Sequence, residues 1–317
     1  MNFIGIDLGG TNIAAALVDE NGKISTKVSI PTRAGEGTQV VLDGLLKVVD
    51  MIFDESGIKP SDVKSVGIGV PGMMNVDTGV VYFSPNIPIN NTDITSHIKA
   101  KYGLPVYINN DANCAALGEV AAGGAKGTQE AIFVTLGTGV GGGIVTGGKV
   151  YSGFNGVAGE IGHVVIKAGG RQCGCGRKGC WEAYASASGL ILTTKEIMEK
   201  NKDSKMWEIV GGDISKVNGR TAFDAMRAGD KAGQEAVDAY IQDLAYGVVD
   251  MINIFEPEVV CIGGGISNEG ETLLVPLRKL VDAEKYTSKS DSVPQTKITK
   301  ALLGNDAGIV GAALLGK

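Results

Sequence analysis

The sequence predicts an α/β protein made of two similar halves, and two observations lead to this prediction. Apolar runs rich in valine and isoleucine alternate along the chain with longer segments of helical periodicity. Residues 131–153 also repeat the plan of residues 3–26, with a strand, a Gly/Thr turn, a second strand and a Gly-Lys pair. Because 317 residues exceed what one core usually fills, we expect two domains divided near residue 112.

The first half is predicted to begin with a β-hairpin. Apolar strands at 3–8 and 13–19 flank a glycine turn, and Asn21-Gly22 is a typical turn pair that leads into another strand. The segment "PVYINNDANCAALGEVAAGGA" is predicted to be a strand that ends at Asn109–Asp111 and continues as an alanine-rich helix. Between these segments, the pattern predicts a helix at 38–56, a strand in "VKSVGIGVPG" and a short helix at 92–102.

The second half is predicted to repeat this order with additions. A cysteine-containing segment follows its hairpin, and the pattern then predicts mostly helices at 186–256 and a strand with a third glycine turn at 258–267. The final apolar helix, 306–315, has no obvious place in the second half, so we expect it to fold back on the first. The expected smaller domain therefore comprises residues 1–112 and about 303–317, and the larger domain comprises residues 113–302.

Composition and charge argue against several classes of protein. The net charge is −6 and no block of consecutive Lys or Arg occurs, which argues against binding to nucleic acid or to an anionic membrane surface. No apolar run approaches the length of a membrane span, and the N-terminus shows no secretory signal. We therefore expect a cytoplasmic protein.

Three of the five cysteines and one of the two histidines lie within 18 residues, in the pattern His163-x9-Cys173-x-Cys175-x4-Cys180. This pattern supplies the three sulfurs and one nitrogen that a tetrahedral zinc ion takes. Four protein ligands leave no open position for a catalytic water, so the predicted Zn²⁺ is structural. The alternative is a loop of reduced thiols with His163 merely nearby.

One glycine motif is misleading. Gly137, Gly139 and Gly142 satisfy G-x-G-x-x-G, the dinucleotide-binding fingerprint. That fingerprint requires a helix directly after the glycines, because the helix N-terminus meets the pyrophosphate. The sequence "GIVTGGKVY" follows instead, and its β-branched, alternating pattern predicts a hairpin.

Glycine hairpins can still bind phosphate, because backbone N–H groups exposed in a tight turn form an anion-binding nest. Gly9, Gly10 and Thr11, with Asn12 beside them, form one such turn, and Gly137, Thr138 and Gly139 form the other. A third glycine turn contains Gly263, Gly264 and Gly265. Asp7 precedes the first turn and is placed to hold Mg²⁺ or its waters. The alternative is that the glycines only satisfy backbone angles, but the duplication favours nucleotide binding.

The motifs "DLGGT", "LGTGVGGG" and "GGGIS" resemble the phosphate and adenosine loops of the sugar kinase, actin and Hsp70 superfamily. Together, "PGMMNVDTGVVYFSPN", "NDANCAALGE", "GEIGH" and "CGCGRKGCWEAYAS" resemble the ROK family of repressors and sugar kinases, and most closely its bacterial glucose kinases. The resemblance implies two actin-like (ribonuclease H-like) α/β domains around a central cleft. It also implies transfer of the γ-phosphate of ATP, with Mg²⁺, to the C6 hydroxyl of a hexose, and a homodimer.

Position by position, the resemblance implies roles for individual residues. Asp111 matches the general base, and its alternative role is that of a helix N-cap, for which Asp is favoured. The resemblance implies zinc binding by His163, Cys173, Cys175 and Cys180. It implies sugar contacts for Gly72, Asn86, Asn110, Glu160, His163 and Glu182.

Other functions stay open at this point. Kinases for N-acetylhexosamines, fructose or allose share these motifs and differ in the shape of the sugar pocket. A non-catalytic sugar-sensing regulator is the alternative from a different class. We expect no DNA-binding segment, because the repressor branch carries an N-terminal helix-turn-helix and the first strand here starts at residue 2.

Overall fold

The structure is a computed structural model that describes all 317 residues, and the chain forms two compact units. The first unit comprises Met1–Phe133, Gly142–Gly159 and Ala301–Lys317, and the second comprises Val134–Gly141 and Glu160–Lys300. The expected division at residue 112 falls within the first unit. As a division into domains, it stays a prediction.

Thirteen strands and ten α-helices form the regular structure. The strands are β1 (Asn2–Leu8), β2 (Asn12–Asp19), β3 (Ile24–Pro31), β4 (Val63–Val70), β5 (Met73–Asn75), β6 (Val80–Phe83), β7 (Thr92–Asp93), β8 (Val106–Asn110), β9 (Ala131–Leu136), β10 (Val140–Thr146), β11 (Lys149–Val150), β12 (Val259–Gly263) and β13 (Lys297–Lys300). The helices are α1 (Thr38–Ser56), α2 (Ser96–Tyr102), α3 (Asp111–Ala122), α4 (Glu182–Ala185), α5 (Ala187–Lys200), α6 (Lys205–Ile209), α7 (Thr221–Arg227), α8 (Lys231–Phe255), α9 (Glu271–Glu284) and α10 (Ala307–Ala313). None of the helices combines the length and the hydropathy that a membrane span requires.

The strand orders of the two large sheets confirm the internal duplication. The first sheet has the order β3-β2-β1-β4-β8 and the second has the order β11-β10-β9-β12-β13. In each sheet the first strand lies at the centre, the second and third extend to one side as antiparallel neighbours, and the fourth and fifth lie on the other. The segment after Gly142 is β10 and β11, so the predicted hairpin is confirmed and the dinucleotide fingerprint is excluded.

Alternating side chains of the first sheet enter two separate apolar layers. Ile4 and Ile6 of β1 pack in a cluster with residues of α1, including Val41. Phe3, which precedes Ile4 and so faces the opposite side of the sheet, packs with Ile309 of α10. The sheet is therefore covered on both faces, as the two-residue period of a buried strand requires.

A small antiparallel sheet of β5, β6 and β7 lies in a region for which the sequence predicted no strands. These strands have two to four residues each, too short for a clear alternating pattern. The helix predicted at 92–102 is shorter than expected, because β7 occupies its start and α2 begins at Ser96.

The C-terminal helix α10 packs against α3, β1 and β4 in the first unit. Its backbone approaches theirs closely, because glycines occupy the contact points. A Cβ at Gly311 would overlap the carbonyl oxygen of Cys114 in α3, and one at Gly5 would overlap the carbonyl oxygen of Ile309. Glu119 of α3 also accepts hydrogen bonds from the N–H groups of Leu302 and Leu303 (3.0 and 2.9 Å).

We predict that Gly311→Ala lowers the free energy of unfolding by about 1–3 kcal/mol, because the methyl group must displace the backbone of α3. Gly308→Ala in the same helix is the matched control. A Cβ at Gly308 would meet no atom closer than 3.8 Å, and alanine favours the helix by about 1 kcal/mol. Urea unfolding curves of both variants test this contrast. Equal effects of the two substitutions would contradict it.

Candidate functional site

The predicted site residues fall into two groups, one in each unit. The first unit contains Asp7, Gly9, Gly10, Thr11, Asn12, Gly72, Asn86, Asn110 and Asp111. The second unit contains Gly137, Thr138, Gly139, Glu160, His163, Cys173, Cys175, Cys180, Glu182, Gly263, Gly264 and Gly265.

The first glycine turn joins β1 to β2 in the first unit. The N–H of Gly9 donates to the carbonyl oxygen of Asn12 (3.0 Å), which closes the turn. Thr32 fastens it from outside, since its hydroxyl donates to the oxygen of Gly9 (2.5 Å) and its N–H to the oxygen of Thr11 (2.9 Å). The carbonyl groups are thereby tied inward, while Gly10 and Thr11 stay exposed with N–H groups that donate to no protein acceptor. Such a turn can accept an anion.

Asp7 lies near the end of β1, and Asp111 directly follows β8, which is separated from β1 by β4 alone. Asp7 pairs with Gly69 of β4, Gly69 pairs with Asn109 of β8, and Asp111 follows two residues later. Burial, together with the negative charge of Asp111, raises the pKa of Asp7 to about 6, although Lys27 opposes this shift. Burial also raises the pKa of Asp111, whose side chain remains accessible to solvent. Two carboxylates so placed favour a proton or a cation near them.

The turn that presents Asp111 is held by asparagines. The N-cap of α3 is Asn110, not Asp111, because the Asn110 side chain accepts from the N–H groups of Ala112 and Asn113 (2.9 and 3.4 Å). Beneath it, the buried Asn109 accepts from the Asn113 amide (3.0 Å) and donates to the hydroxyl of Ser152 (3.1 Å). Asp111 is therefore the first helical residue rather than the cap, and its Oδ1 also accepts from the N–H of Ala112 (2.9 Å).

The two remaining residues of the first group lie beside the glycine turn and after β4. Asn86 is exposed and faces Gly10, where a Cβ would meet that of Asn86 at 3.3 Å. Gly72 has a φ of 114°, and a Cβ there would overlap the carbonyl oxygen of Phe83. A glycine is therefore required at position 72 by the backbone alone.

The second glycine turn, in the second unit, rests on the N-terminus of α5. The N–H of Gly137 donates to the oxygen of Gly139 (3.0 Å). Ala187 donates its N–H to the oxygen of Gly137 (2.8 Å), and the Ser188 hydroxyl donates to the oxygen of Thr138 (2.9 Å). As in the first turn, neighbouring groups tie the carbonyls down. The third turn lies beside it, because Gly264 packs against the backbone of Leu136.

The predicted metal ligands converge in the second unit. One ligand atom from each of His163, Cys173, Cys175 and Cys180 lies within 4.8 Å of all the others. The Sγ atoms of Cys175 and Cys180 are 3.6 Å apart, and Cys173 Sγ is 3.7 Å from His163 Nδ1. A tetrahedron with zinc–sulfur bonds of about 2.3 Å has edges of about 3.8 Å, so these donors fit Zn²⁺. With Nδ1 turned to the cluster, His163 Nε2 stays available for another partner.

The two glutamates differ in their surroundings. Glu160 is exposed and lies three residues before His163, at the start of a 3₁₀ turn. Glu182 is half-buried at the first position of α4, and its Oε2 accepts the N–H of Val140 (3.1 Å). Trp181 beside it is fully buried and donates to the carbonyl oxygen of Asp243 (3.1 Å), so it belongs to the core.

Sequence reasoning missed the residues that hold these groups in place. Thr32 and Ser188 each fasten a glycine turn, and Asn109, Asn113 and Ser152 support the Asp111 turn. Asn109 lies at the end of a predicted strand and Asn113 lies inside the motif "NDANCAALGE", so the polar types of both residues were usable signals. Thr32, Ser152 and Ser188 gave no signal, because their partners are 20 or more residues away in the sequence.

We predict that Asp7→Asn makes the ligand-free protein more stable at pH 7.5. With its raised pKa, folded Asp7 binds a proton more tightly than the unfolded chain between about pH 4 and 6, so wild-type stability falls as the pH rises through this window. Asparagine carries no charge and avoids this loss of stability. The variant is therefore more stable than the wild type above about pH 6, and the difference disappears toward pH 4. Thermal unfolding across this pH range measures both effects.

Asp93→Asn is the control for this substitution and has the opposite sign. Burial of Asp93 is outweighed by hydrogen bonds from Ser96 and Thr95, which lower its pKa to about 2. Its charged form therefore stabilises the fold at pH 7.5, and Asp93→Asn should lower the unfolding temperature there. If Asp7→Asn also destabilises the protein at pH 7.5, the assignment of a costly charge at Asp7 is wrong.

Known proteins match this chain over its whole length. The ROK family profile matches residues 3–317. The chain is 38% identical to the glucokinase of Thermotoga maritima over 315 residues, which are 99% of this chain and 96% of that relative. It resembles the crystal structure of a ROK family glucokinase from Streptomyces griseus in complex with glucose and AMPPNP (TM-score 0.77, 34% identity, 99% of both chains). It also resembles the ROK hexokinase from Thermus thermophilus (TM-score 0.82, 32% identity, 99% of this chain and 97% of that one). These structures confirm the predicted actin-like α/β class, and the chain belongs to the ROK family.

Proposed function

We propose that this protein transfers the γ-phosphate of ATP to the C6 hydroxyl of a hexose, and that the hexose is glucose. The full-length similarity to glucokinases supports the reaction class and the sugar. The observation that carries the mechanism is Asp111, an accessible carboxylate at the start of α3 whose pKa burial raises. A group of this kind can accept the proton that the sugar hydroxyl loses.

Asp111 acts as the general base in this proposal. Its raised pKa brings the carboxylate closer to the pH at which proton transfer is efficient. Asn110 supplies the helix cap, and the Asp111 carboxylate, whose Oδ1 also accepts the N–H of Ala112 (2.9 Å), remains accessible to an attacking hydroxyl. Apart from this base, the protein contributes to phosphoryl transfer mainly by positioning the two substrates and by compensating the negative charge of the phosphates.

The three glycine turns bind the nucleotide in this proposal. The open N–H groups of Gly10 and Thr11 hold phosphate oxygens, and the turns at Gly137–Gly139 and Gly263–Gly265 hold the phosphates and the adenosine. Asp7 holds Mg²⁺ or its waters, and the bound ion offsets phosphate charge during transfer. The raised pKa of Asp7 supports this role, because a cation relieves the repulsion between Asp7 and Asp111.

The sugar contacts in this proposal come from two sets of groups, one in the unit that contains Asp111 and one in the unit that contains the cysteine cluster. We assign sugar hydroxyls to Asn110, Glu160, His163 and Glu182, with further contacts at Gly72 and Asn86. Zn²⁺ at His163, Cys173, Cys175 and Cys180 is structural, since protein fills all four positions. Held through Nδ1, His163 presents Nε2 to a hydroxyl. A homodimer in the cytoplasm, where ATP is plentiful and thiols stay reduced, completes the proposal.

The rival assignments differ in the sugar or in the absence of catalysis. A kinase for an N-acetylhexosamine or for fructose would use the same base and glycine turns. A sugar-sensing regulator would bind the sugar without turnover. The accessible Asp111 and the two open glycine turns favour the kinase over the regulator.

A panel of sugars tests the proposal. ADP release with Mg-ATP is measured with glucose, N-acetylglucosamine, N-acetylmannosamine, fructose, mannose and allose. We expect glucose to exceed each other sugar in kcat/KM by about tenfold or more. Preference for an acetylated sugar would replace glucose and keep the mechanism, whereas no sugar-dependent ADP from metal-loaded protein would favour the regulator.

In the same assay, Asp111→Asn should lower kcat by about 10²–10⁴ and remain folded. Near wild-type turnover in the folded variant would refute the assignment of Asp111 as the general base.

We predict that Cys175→Ser loses the metal and raises the KM for the sugar. Cys175 is the exposed member of the cluster, so its substitution disturbs packing least. Without the metal, His163 and the segment that carries Glu182 are less well fixed. Metal content by mass spectrometry and sugar KM are measured together, with Cys261→Ser, a buried thiol outside the cluster, as the control that keeps the metal. Complete metal loss with an unchanged KM would break the proposed link.

A further inference from the structure

Glu182 contacts both the cysteine cluster and the second glycine turn. Its Oε2 accepts the N–H of Val140 at 3.1 Å, and Val140 is the residue directly after Gly139. Its Oε1 lies 3.5 Å from the Sγ of Cys173. One side chain thus bridges the metal ligands and the turn, and both contacts are made within the second unit.

The glycine at position 139 makes this contact possible. A Cβ on Gly139 would overlap Oε2 of Glu182, so a side chain there would push the carboxylate away from the turn. The glycine therefore serves the approach of Glu182 as well as the geometry of the turn. This accounts for a small residue at a position where φ does not demand one.

The segment that carries Glu182 also holds the turn through its following residues. Ala187 donates its N–H to the oxygen of Gly137 (2.8 Å), and the Ser188 hydroxyl donates to the oxygen of Thr138 (2.9 Å). These two bonds fix the carbonyl groups on one side of the turn. The bond from the Glu182 side chain instead fixes an N–H group, that of Val140, where the turn enters β10. The bond has a carboxylate acceptor, and such charge-assisted bonds are roughly twice as strong as neutral ones.

We infer that Glu182 is a positioning residue for the nucleotide, in addition to its proposed contact with the sugar. Its carboxylate holds the Val140 N–H and so fixes the second glycine turn in the conformation that receives phosphate. The inference rests on the proposed role of that turn in nucleotide binding. A residue that only bound sugar would have no influence on nucleotide affinity when sugar is absent.

The test is therefore nucleotide binding without sugar. Titration calorimetry with ADP and Mg²⁺ is performed on the metal-loaded wild type, Glu182→Ala, Glu182→Gln and Glu160→Ala. We expect Glu182→Ala to weaken ADP binding about tenfold, the worth of one hydrogen bond to a charged group. Glu182→Gln should stay within about threefold of the wild type, because its amide oxygen still accepts from Val140. Glu160→Ala, a second proposed sugar ligand without a contact to the turn, should bind ADP unchanged.

Hydrogen exchange supplies a readout that needs no ligand. Peptides that cover residues 134–141 should exchange faster in Glu182→Ala than in the wild type, and at the wild-type rate in Glu160→Ala. If Glu182→Ala does not fold, Glu182→Asp replaces it, since its carboxylate is one methylene shorter and cannot reach Val140 without strain.

The outcomes separate the inference from the function on which it rests. Unchanged ADP affinity and unchanged exchange in Glu182→Ala would overturn the inference and leave nucleotide binding intact. A wild-type protein that binds no ADP would overturn the nucleotide assignment itself. Equal weakening of ADP binding in Glu160→Ala and Glu182→Ala would also overturn the inference, because the effect would then not depend on the Val140 contact.

Discussion

The close packing of α10 against α3 and the first sheet is the constraint on which the first group of site residues depends. Asp7 lies near the end of β1, Asp111 begins α3, and α10 contacts both elements. The backbones can approach because Gly5, Gly118 and Gly311 carry no side chain. Glu119 adds polar fastening through the N–H groups of Leu302 and Leu303. The positions of the Asp7 and Asp111 carboxylates thus depend on the packing of α10 against β1 and α3, and not on a contact between the two side chains.

The placement of these two carboxylates lowers the free energy of unfolding near neutral pH, and the fold tolerates this loss. Burial raises the pKa of both carboxyl groups, and the charge of Asp111 raises that of Asp7 further, so the two charges oppose folding near neutral pH, and the apolar layers on both faces of the sheet offset this. The asparagines below Asp111 contribute hydrogen bonds but no charge, so they orient the turn without relieving the repulsion. Relief is left to whatever cation or proton the site binds. Carboxylates with raised pKa values are typical of functional sites for this reason.

Local patterns in the sequence predicted much of the fold, and long-range contacts account for the rest. The strand and turn signals of β1 and β2 and the periodicity of α1 lie within short windows, and the structure has these elements close to where they were expected. The cysteine spacing likewise predicted a cluster that does converge. The sequence could not decide which of Asn110 and Asp111 caps α3, because both residue types cap well and only the packed turn selects between them. It also could not show the Glu182–Val140 contact, which joins residues 42 positions apart.

The segment between His163 and Cys180 explains why three cysteines are concentrated there. It contains no strand or α-helix, only isolated bridges such as Val165–Cys180, so little regular hydrogen bonding holds it. Arg171 fixes its middle, because its guanidinium lies 4.9 Å from the Tyr184 ring and pairs with Glu196 (2.7 Å). Neither contact orients the ring of His163 at the start of the segment. A cluster that ties His163 to the cysteines later in the segment does orient this ring. The cluster also fixes the start of α4, from which Glu182 reaches Val140. The four clustered residues can therefore set the orientation of His163, to which we assign a sugar hydroxyl, and of the second glycine turn, to which we assign phosphate, through one short stretch of chain.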